Sequence, residues 1–144
     1  MLDDLKLIHE RDTDDTLGIA ERQWQQLNEG FEVSVDGSGM ENIVYSGMGG
    51  SALAALLSVT WPGYTIPFEV VRNYDIPSYV SDKTLFIACS YSGNTEETIS
   101  SIAQAEAKGA RICVIAGGGK LSELAHEKGY PLVILPKAEQ PRYA

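Results

Sequence analysis

The sequence is poor in basic residues and has no long apolar run, and each shortage argues against a class of protein. Eleven Lys and Arg stand against 20 Asp and Glu, which gives a formal net charge of −9. Binding to nucleic acid is therefore not expected, because no basic stripe is available to meet the phosphates. No segment approaches the roughly 18 apolar residues of a membrane-spanning helix. The acidic start Met1–Asp4 lacks the basic and apolar regions of a signal peptide, so we expect a cytoplasmic protein with no membrane association.

Cysteine is also scarce. Cys89 and Cys113 are the only two, and both lie within apolar segments, where free cysteines are usually buried. We therefore expect no disulfide bond. The two cysteines and two histidines do not have the spacing of a metal site, and the Gly-Lys-Ser/Thr sequence of a P-loop is absent. The sequence therefore predicts neither a metal ion nor another cofactor.

Apolar segments that alternate with helical segments indicate the fold class. Strands are predicted over residues 42–45, 67–71, 84–89, 111–115 and 131–135. These segments are continuously apolar, which is typical of parallel strands covered on both faces. Because crossover connections are right-handed, few topologies remain. We predict an α/β fold of three layers (αβα), with a five-stranded parallel sheet in the flavodoxin-like order 2-1-3-4-5.

The first 35 residues are predicted to form a leader that precedes this domain. Residues 1–13 are polar, and Asp14 or Asp15 is placed to cap one helix that runs to Asn28 and ends before Gly30. The apolar residues of that helix fall on one stripe, so we expect it to pack against the domain. The sequence thus divides into a leader over residues 1–35 and a domain over residues 36–144.

Two turns rich in glycine and hydroxyl groups follow the first and third predicted strands. They are Ser46–Ser51 and Ser90–Thr98, and each leads into a helix. In the order 2-1-3-4-5, the ends of these two strands form the crevice where ligands bind. Glycines let the backbone approach a ligand closely, and a helix N-terminus favours an anion. Together with the hydroxyls of Ser51, Ser90, Ser92 and Thr95, these features predict a site for a phosphate monoester.

Other interpretations of the same turns remain open. The first turn matches the G-x-G-x-x-A pattern of dinucleotide sites, but Arg72 stands where that fold uses an acid to hold a ribose. In the second turn, Asn94 and Glu97 fit a capping box for the following helix, and Glu96 or Glu97 is a weaker candidate for a catalytic base. The glycines at 117–119 are expected at the same sheet edge, where they give clearance to a substrate or a neighbouring loop.

The pairing of Gly47–Ser51 with Ser90–Thr98 resembles the sugar isomerase (SIS) domain. With Arg72–Tyr74, Gly117–Leu121 and Pro141-Arg142, the chain resembles more narrowly the N-terminal half of bifunctional phosphoglucose/phosphomannose isomerases. The resemblance implies that the phosphate is bound by Gly49, Gly50, Ser51, Ser90, Ser92 and Thr95. It also implies that Arg142 is catalytic and stabilises the charge that develops on the substrate oxygen.

The reaction that this resemblance implies converts glucose 6-phosphate or mannose 6-phosphate to fructose 6-phosphate. The sugar ring opens, and a proton then moves between C1 and C2 through an enediol. In the family, the glutamate base and the ring-opening histidine belong to a second SIS domain, which would follow Ala144. We therefore expect the 144 residues alone to be inactive, with a second SIS domain and a homodimer as partners. The alternative is a non-catalytic sensor of sugar phosphates.

Overall fold

A five-stranded parallel sheet forms the centre of the computed structural model, which describes residues 4–28, 30–60 and 63–136. Its strands are β1 (Asn42–Gly47), β2 (Phe68–Val71), β3 (Thr84–Ser90), β4 (Arg111–Ala116) and β5 (Leu132–Ile134). Their order in the sheet is β2-β1-β3-β4-β5. The predicted α/β class, the parallel sheet and its strand order are confirmed.

Helices connect the strands and bring the chain back across the sheet. A 3₁₀ turn over Gly49–Ala52 follows β1 and continues as α3 (Leu53–Ser58). Helix α4 (Glu96–Ala107) follows β3, and α5 (Gly119–Lys128) follows β4. The leader contains α1 (Leu5–Arg11), α2 (Thr16–Arg22) and a 3₁₀ segment over Gln23–Asn28. In the parts of the chain that the structure describes, no helix is both long and apolar enough to cross a membrane.

The leader differs from the single capped helix that the sequence predicted. The Asp12 carboxylate accepts hydrogen bonds from the backbone N–H groups of Thr16 at 2.9 Å and Leu17 at 2.8 Å. These bonds hold the pKa of Asp12 below its usual value. Asp15, the predicted cap, instead has a left-handed backbone (φ 52°) and pairs with Arg22 at 2.7 Å. Asp15 is the N-cap residue of α2, at one of the two predicted positions, but its side chain makes no cap bond because Asp12 already accepts from the Thr16 and Leu17 N–H groups.

The apolar stripe of the leader is largely exposed in this structure. Leu17 and Trp24 are 53% and 62% exposed, so these two side chains do not form the expected contact with the domain. The polar segment before them contains helix α1, and Asp4 caps it by accepting from the Leu7 N–H at 3.2 Å. The division into a leader and a domain stays a prediction.

The core lies mainly on one face of the sheet. Val44, Phe86 and Val114 are fully buried there against Ile102 of α4 and Leu121 of α5. Burying a side chain of this kind stabilises the fold by about 1.5–3 kcal/mol. A smaller cluster on the other face joins Tyr45 and Cys89 to Ala55 of α3. The sheet is thereby fixed between its helices, and its C-terminal edge becomes a rigid base for the turns.

Both cysteines lie within this packed interior. Cys89 and Cys113 are buried and free, as the sequence predicted. Burial raises the pKa of each thiol. Both groups therefore stay protonated at neutral pH.

Candidate functional site

The two hydroxyl-rich turns meet at the C-terminal edge of the sheet. Strands β1 and β3 are neighbours, and their register sets Gly47 beside Cys89, so the chain leaves both strands at the same level. The backbone N–H of Tyr91 in the second turn then donates to Ser51 Oγ in the first, at 3.1 Å. The meeting of the two turns, which the sequence predicted from strand order, is confirmed.

Three hydroxyl groups of the second turn converge beside this contact. Ser90 Oγ lies 2.8 Å from Thr95 Oγ1 and 3.4 Å from Ser92 Oγ. Ser90 is only 1% exposed and also accepts from the Gly93 N–H at 3.1 Å, whereas Thr95 is partly buried and Ser92 is exposed. Burial therefore differs within the cluster: Ser90 lies beneath, and the hydroxyls of Thr95 and Ser92 lie nearer the surface.

Helix α4 begins at this cluster, and no side chain caps it. Thr95 is the N-cap residue and makes no side-chain cap bond. The N–H groups of a helix's first turn have no partner within the helix, and together with the helix dipole they favour an anion. The predicted capping box of Asn94 and Glu97 was wrong, because the Asn94 side chain bonds elsewhere. The end of α4 is thus available to a ligand.

The first turn is held by a residue that the sequence analysis did not single out. The Tyr45 hydroxyl donates to the carbonyl oxygen of Ser51 at 2.9 Å, and burial raises the pKa of Tyr45 strongly. Gly49 adopts a left-handed backbone (φ 53°), and both Gly49 and Gly50 are exposed. The only sequence signal for Tyr45 was an aromatic residue inside a strand, which does not distinguish an anchor from ordinary packing.

Glycines let the second turn pack directly on the loop before α5. A Cβ on Gly93 (φ 68°) would lie 1.7 Å from the carbonyl oxygen of Gly118. A Cβ on Gly119 would lie 2.4 Å from the carbonyl oxygen of Ser92. Of the two roles predicted for the glycines at 117–119, clearance for the neighbouring loop is therefore confirmed.

Two carboxylates lie beside the hydroxyl cluster, at the start of α4. Glu96 and Glu97 occupy the first turn of α4, and the Tyr74 hydroxyl donates to Glu96 at 3.4 Å. The negative charge of Glu97, followed by burial and Glu96, raises the pKa of Tyr74. The hydroxyl and amide donors of the two turns thus lie beside acidic side chains.

The structure places every predicted phosphate-binding residue at this edge. These residues are Gly49, Gly50, Ser51, Ser90, Ser92 and Thr95. The predicted catalytic Arg142 lies outside the described residues. Within residues 4–28, 30–60 and 63–136, no group of three or more His, Cys, Asp or Glu side chains is arranged to hold a metal ion.

Comparison with known proteins gives a consistent result. Residues 38–141 match the family model described as the SIS domain. The bifunctional phosphoglucose/phosphomannose isomerase of Caldicellulosiruptor bescii is 44% identical over 121 residues, which are 83% of this chain and 36% of that protein. The D-glucosamine-6-phosphate 4-epimerase of Sulfolobus acidocaldarius is 41% identical over 114 residues, 72% of this chain and 33% of that protein. The chain thus spans about a third of the length of these relatives.

Solved structures share the same fold at lower identity. The NanR protein of Vibrio vulnificus, solved with ManNAc-6P, has a TM-score of 0.62 at 15% identity, over 95% of this chain and 56% of its own. A protein of Salmonella typhimurium LT2, provisionally assigned as a phosphosugar isomerase, has a TM-score of 0.59 at 19% identity, over 72% of this chain and 32% of its own. At these identities the likeness shows the fold alone.

Proposed function

Because this chain belongs to the SIS domain family, we propose that it binds the phosphate of a hexose 6-phosphate as one domain of an aldose–ketose isomerase. The substrates would be glucose 6-phosphate and mannose 6-phosphate, and the product fructose 6-phosphate. The observation that carries this proposal is the convergence of hydroxyls from two turns. Ser51 Oγ accepts from the Tyr91 N–H, and the preceding residue, Ser90, has its hydroxyl paired with that of Thr95. The 44% identity to a bifunctional phosphoglucose/phosphomannose isomerase supports the choice of substrates.

The phosphate would sit above the start of α4, between the two turns. Ser51, Ser92 and Thr95 have hydroxyls near the surface, and the first-turn amides of α4 supply further donors. Ser90 is buried and bonded to Thr95, so its main part would be to orient the Thr95 hydroxyl toward the ligand. The exposed Gly49 and Gly50 would let the backbone of the first turn approach the phosphate.

The expected affinity is low. Hydrogen bonds to a charged group contribute about 1.5–3 kcal/mol each. Four such bonds, from the three surface hydroxyls and one amide of α4, would give roughly 6–12 kcal/mol. Association costs about 4–15 kcal/mol. The most favourable balance, about 8 kcal/mol, corresponds to a dissociation constant of about 1 μM, and smaller balances correspond to weaker binding. A phosphate site of this kind needs other parts of the protein to hold the sugar tightly.

Catalysis would use groups beyond this phosphate site. Moving a proton between C1 and C2 needs a general base and a group that stabilises the enediolate oxygen. Arg142 is the proposed stabilising group, and the base and the ring-opening acid would come from a second SIS domain, in a homodimeric protein. A guanidinium can stabilise the oxygen without a cation, so we expect no metal requirement.

The epimerase among the relatives shows why the reaction needs its own test. That protein is 41% identical to this chain over 114 residues, yet its name describes different chemistry on a sugar phosphate. Phosphate recognition can therefore be common to proteins that catalyse different reactions. Binding and catalysis have to be measured separately.

Calorimetric titration of this chain tests the binding proposal. Fructose 6-phosphate and 6-phosphogluconate should bind, whereas fructose without a phosphate should not. Thr95→Val keeps the shape of the side chain and removes its hydroxyl, so we expect both affinities to fall about tenfold. Thr65→Val, in an exposed bend outside the site, is the matched control. Equal affinities for wild type and Thr95→Val would remove this hydroxyl from the site, and NADP binding would favour a dinucleotide site instead.

A further inference from the structure

The second turn is bonded through its carbonyl oxygens to the loop that leads into α5. The carbonyl oxygen of Tyr91 accepts from the Gly117 N–H at 3.0 Å. The carbonyl oxygen of Gly93 accepts from the Leu121 N–H, in the first turn of α5, at 2.9 Å. These oxygens are therefore directed toward the neighbouring loop, on the side where the glycines permit close packing.

Asn94 adds a side-chain bridge to the same contact. Its Nδ2 group donates to the carbonyl oxygen of Ser92 at 3.1 Å, and its Oδ1 accepts from the Lys120 N–H at 3.2 Å. Asn94 lies 26 residues from Lys120 along the chain, so the bridge joins two separate turns. It also occupies the space beside Gly119, where an added Cβ would meet both Asn94 side-chain atoms at 3.0 Å.

The direction of these carbonyl oxygens matters for an anion. Carbonyl oxygens carry partial negative charge and repel a phosphate, whereas backbone N–H groups attract it. A turn of small polar residues can rotate its peptide groups at little cost unless each oxygen has a partner. The carbonyl oxygens of Tyr91, Ser92 and Gly93 accept from the Gly117 N–H, the Asn94 Nδ2 group and the Leu121 N–H respectively, which holds them toward α5 and the loop before it. The Lys120 N–H holds Asn94 itself, through its Oδ1 atom. The Lys120 and Leu121 bonds also occupy two N–H groups in the first turn of α5, whereas the N-cap residue of α4 makes no side-chain cap bond.

We propose that Asn94 is a positioning residue of the phosphate site, which ties the second turn to α5 and keeps its carbonyl oxygens away from the phosphate. This inference rests on the proposed function, because it concerns the same phosphate. Asn94 touches the turn and α5 rather than reacting groups, so it acts through the turn. Without the bridge the turn would populate conformations that do not bind, and the apparent affinity would fall by the fraction that remains competent.

A purely structural cap would behave differently. If Asn94 only stabilised α5, its removal would lower the free energy of unfolding and leave affinity unchanged at temperatures where the protein stays folded. If Asn94 positions the turn, ligand binding and turn formation are linked, so a bound phosphate must restore the turn. Hydrogen exchange at the Leu121 amide reports the turn directly, since that amide donates to Gly93.

The test compares wild type with Asn94→Ala, using inorganic phosphate and fructose 6-phosphate as probes. We expect Asn94→Ala to lower the affinities for inorganic phosphate and for fructose 6-phosphate by the same factor, roughly tenfold, because two ordinary hydrogen bonds are lost. In NMR-detected exchange, the Leu121 amide of Asn94→Ala should lose protection and regain it at saturating fructose 6-phosphate. In wild type it should stay protected throughout. Asn28→Ala, which makes the same deletion at an exposed position in the leader, should match wild type.

A second variant keeps the test informative if Asn94→Ala does not fold. Asn94→Asp retains an oxygen for the Lys120 N–H but has no donor for the Ser92 carbonyl. It should fold, keep the Lys120 amide protected and still bind inorganic phosphate more weakly than wild type. Undiminished affinity in either Asn94 variant would overturn the inference and leave the proposed function standing. If wild type binds neither probe, both the proposed function and the positioning role are overturned.

Discussion

The hydroxyl of Tyr45 donates to the carbonyl oxygen of Ser51 at 2.9 Å, so a side chain of β1 holds the turn that follows β1. The same Ser51 accepts from the Tyr91 N–H through its Oγ atom, at 3.1 Å. Ser51 is thus fixed through its backbone by the first strand and through its side chain by the second turn. Tyr45 thereby anchors the first turn, and Ser51 links that turn to the second.

Tyr45→Phe should loosen the site without disturbing the sheet. The change removes one hydrogen bond and leaves the ring in place, so the free energy of unfolding should fall by about 0.5–1.5 kcal/mol. Affinity for fructose 6-phosphate should fall with it, because Ser51 loses its backbone anchor. Urea unfolding and calorimetry measure the two effects. Tyr64→Phe, an exposed tyrosine stacked on Phe68, is the control, and an affinity for Tyr45→Phe equal to wild type would contradict the role of the anchor.

Gly93→Ala should be among the more damaging single substitutions in the second turn. Gly93 and Gly129 have nearly the same left-handed backbone, with φ of 68° and 70°, but only Gly93 would press its Cβ against a backbone atom. Gly129→Ala should therefore cost about 1–2 kcal/mol for the backbone conformation alone. Gly93→Ala should cost more and abolish detectable phosphate binding. Equal losses in urea unfolding of the two variants would show that the close packing on Gly118 contributes nothing.

Stability should decline at alkaline pH. Burial raises the pKa of the Cys89 and Cys113 thiols in the folded protein, whereas an unfolded cysteine titrates near pH 8.5. The unfolded state therefore loses its protons first, so this contribution is complete below about pH 8.5 and is lost as pH rises further. Urea unfolding between pH 7 and 9.5 should show a falling free energy above pH 8.5. Cys89→Ala should reduce the slope, and a flat profile in wild type would contradict the prediction.

The 144 residues alone should not isomerise fructose 6-phosphate at a useful rate, whereas a protein extended by a second SIS domain should. In that longer protein, Arg142→Ala should lower kcat about 100- to 1,000-fold, the usual loss for one charge-stabilising group. A coupled assay measures the activity of the short chain, of the longer protein and of its Arg142→Ala variant. Adding EDTA should not change the activity of the longer protein, because no metal is expected. Arg11→Ala in the leader is the control. Turnover by the short chain that vanishes in Glu97→Gln would instead make Glu97 the base.

The sequence by itself determined the sheet and the edge at which the two hydroxyl-rich turns meet. Continuous apolar runs separated by helical segments are local patterns, and the handedness of crossovers then leaves few strand orders. Because parallel strands present their C-terminal ends at one edge, the turns at Ser46–Ser51 and Ser90–Thr98 had to meet if the order was correct. The burial of both cysteines followed from the same patterns.

Only the tertiary structure decided which partner each polar side chain has. Asn94 and Asp15 both have a local cap available, yet Asn94 bonds to Lys120 and Asp15 to Arg22. The burial of Ser90 likewise depends on how the turn packs on the loop before α5. Short polar side chains have several acceptors and donors within reach, and these alternatives differ by about 1 kcal/mol. For Asn94 and Ser90 the choice is made by contacts with residues far along the chain, which no local pattern contains.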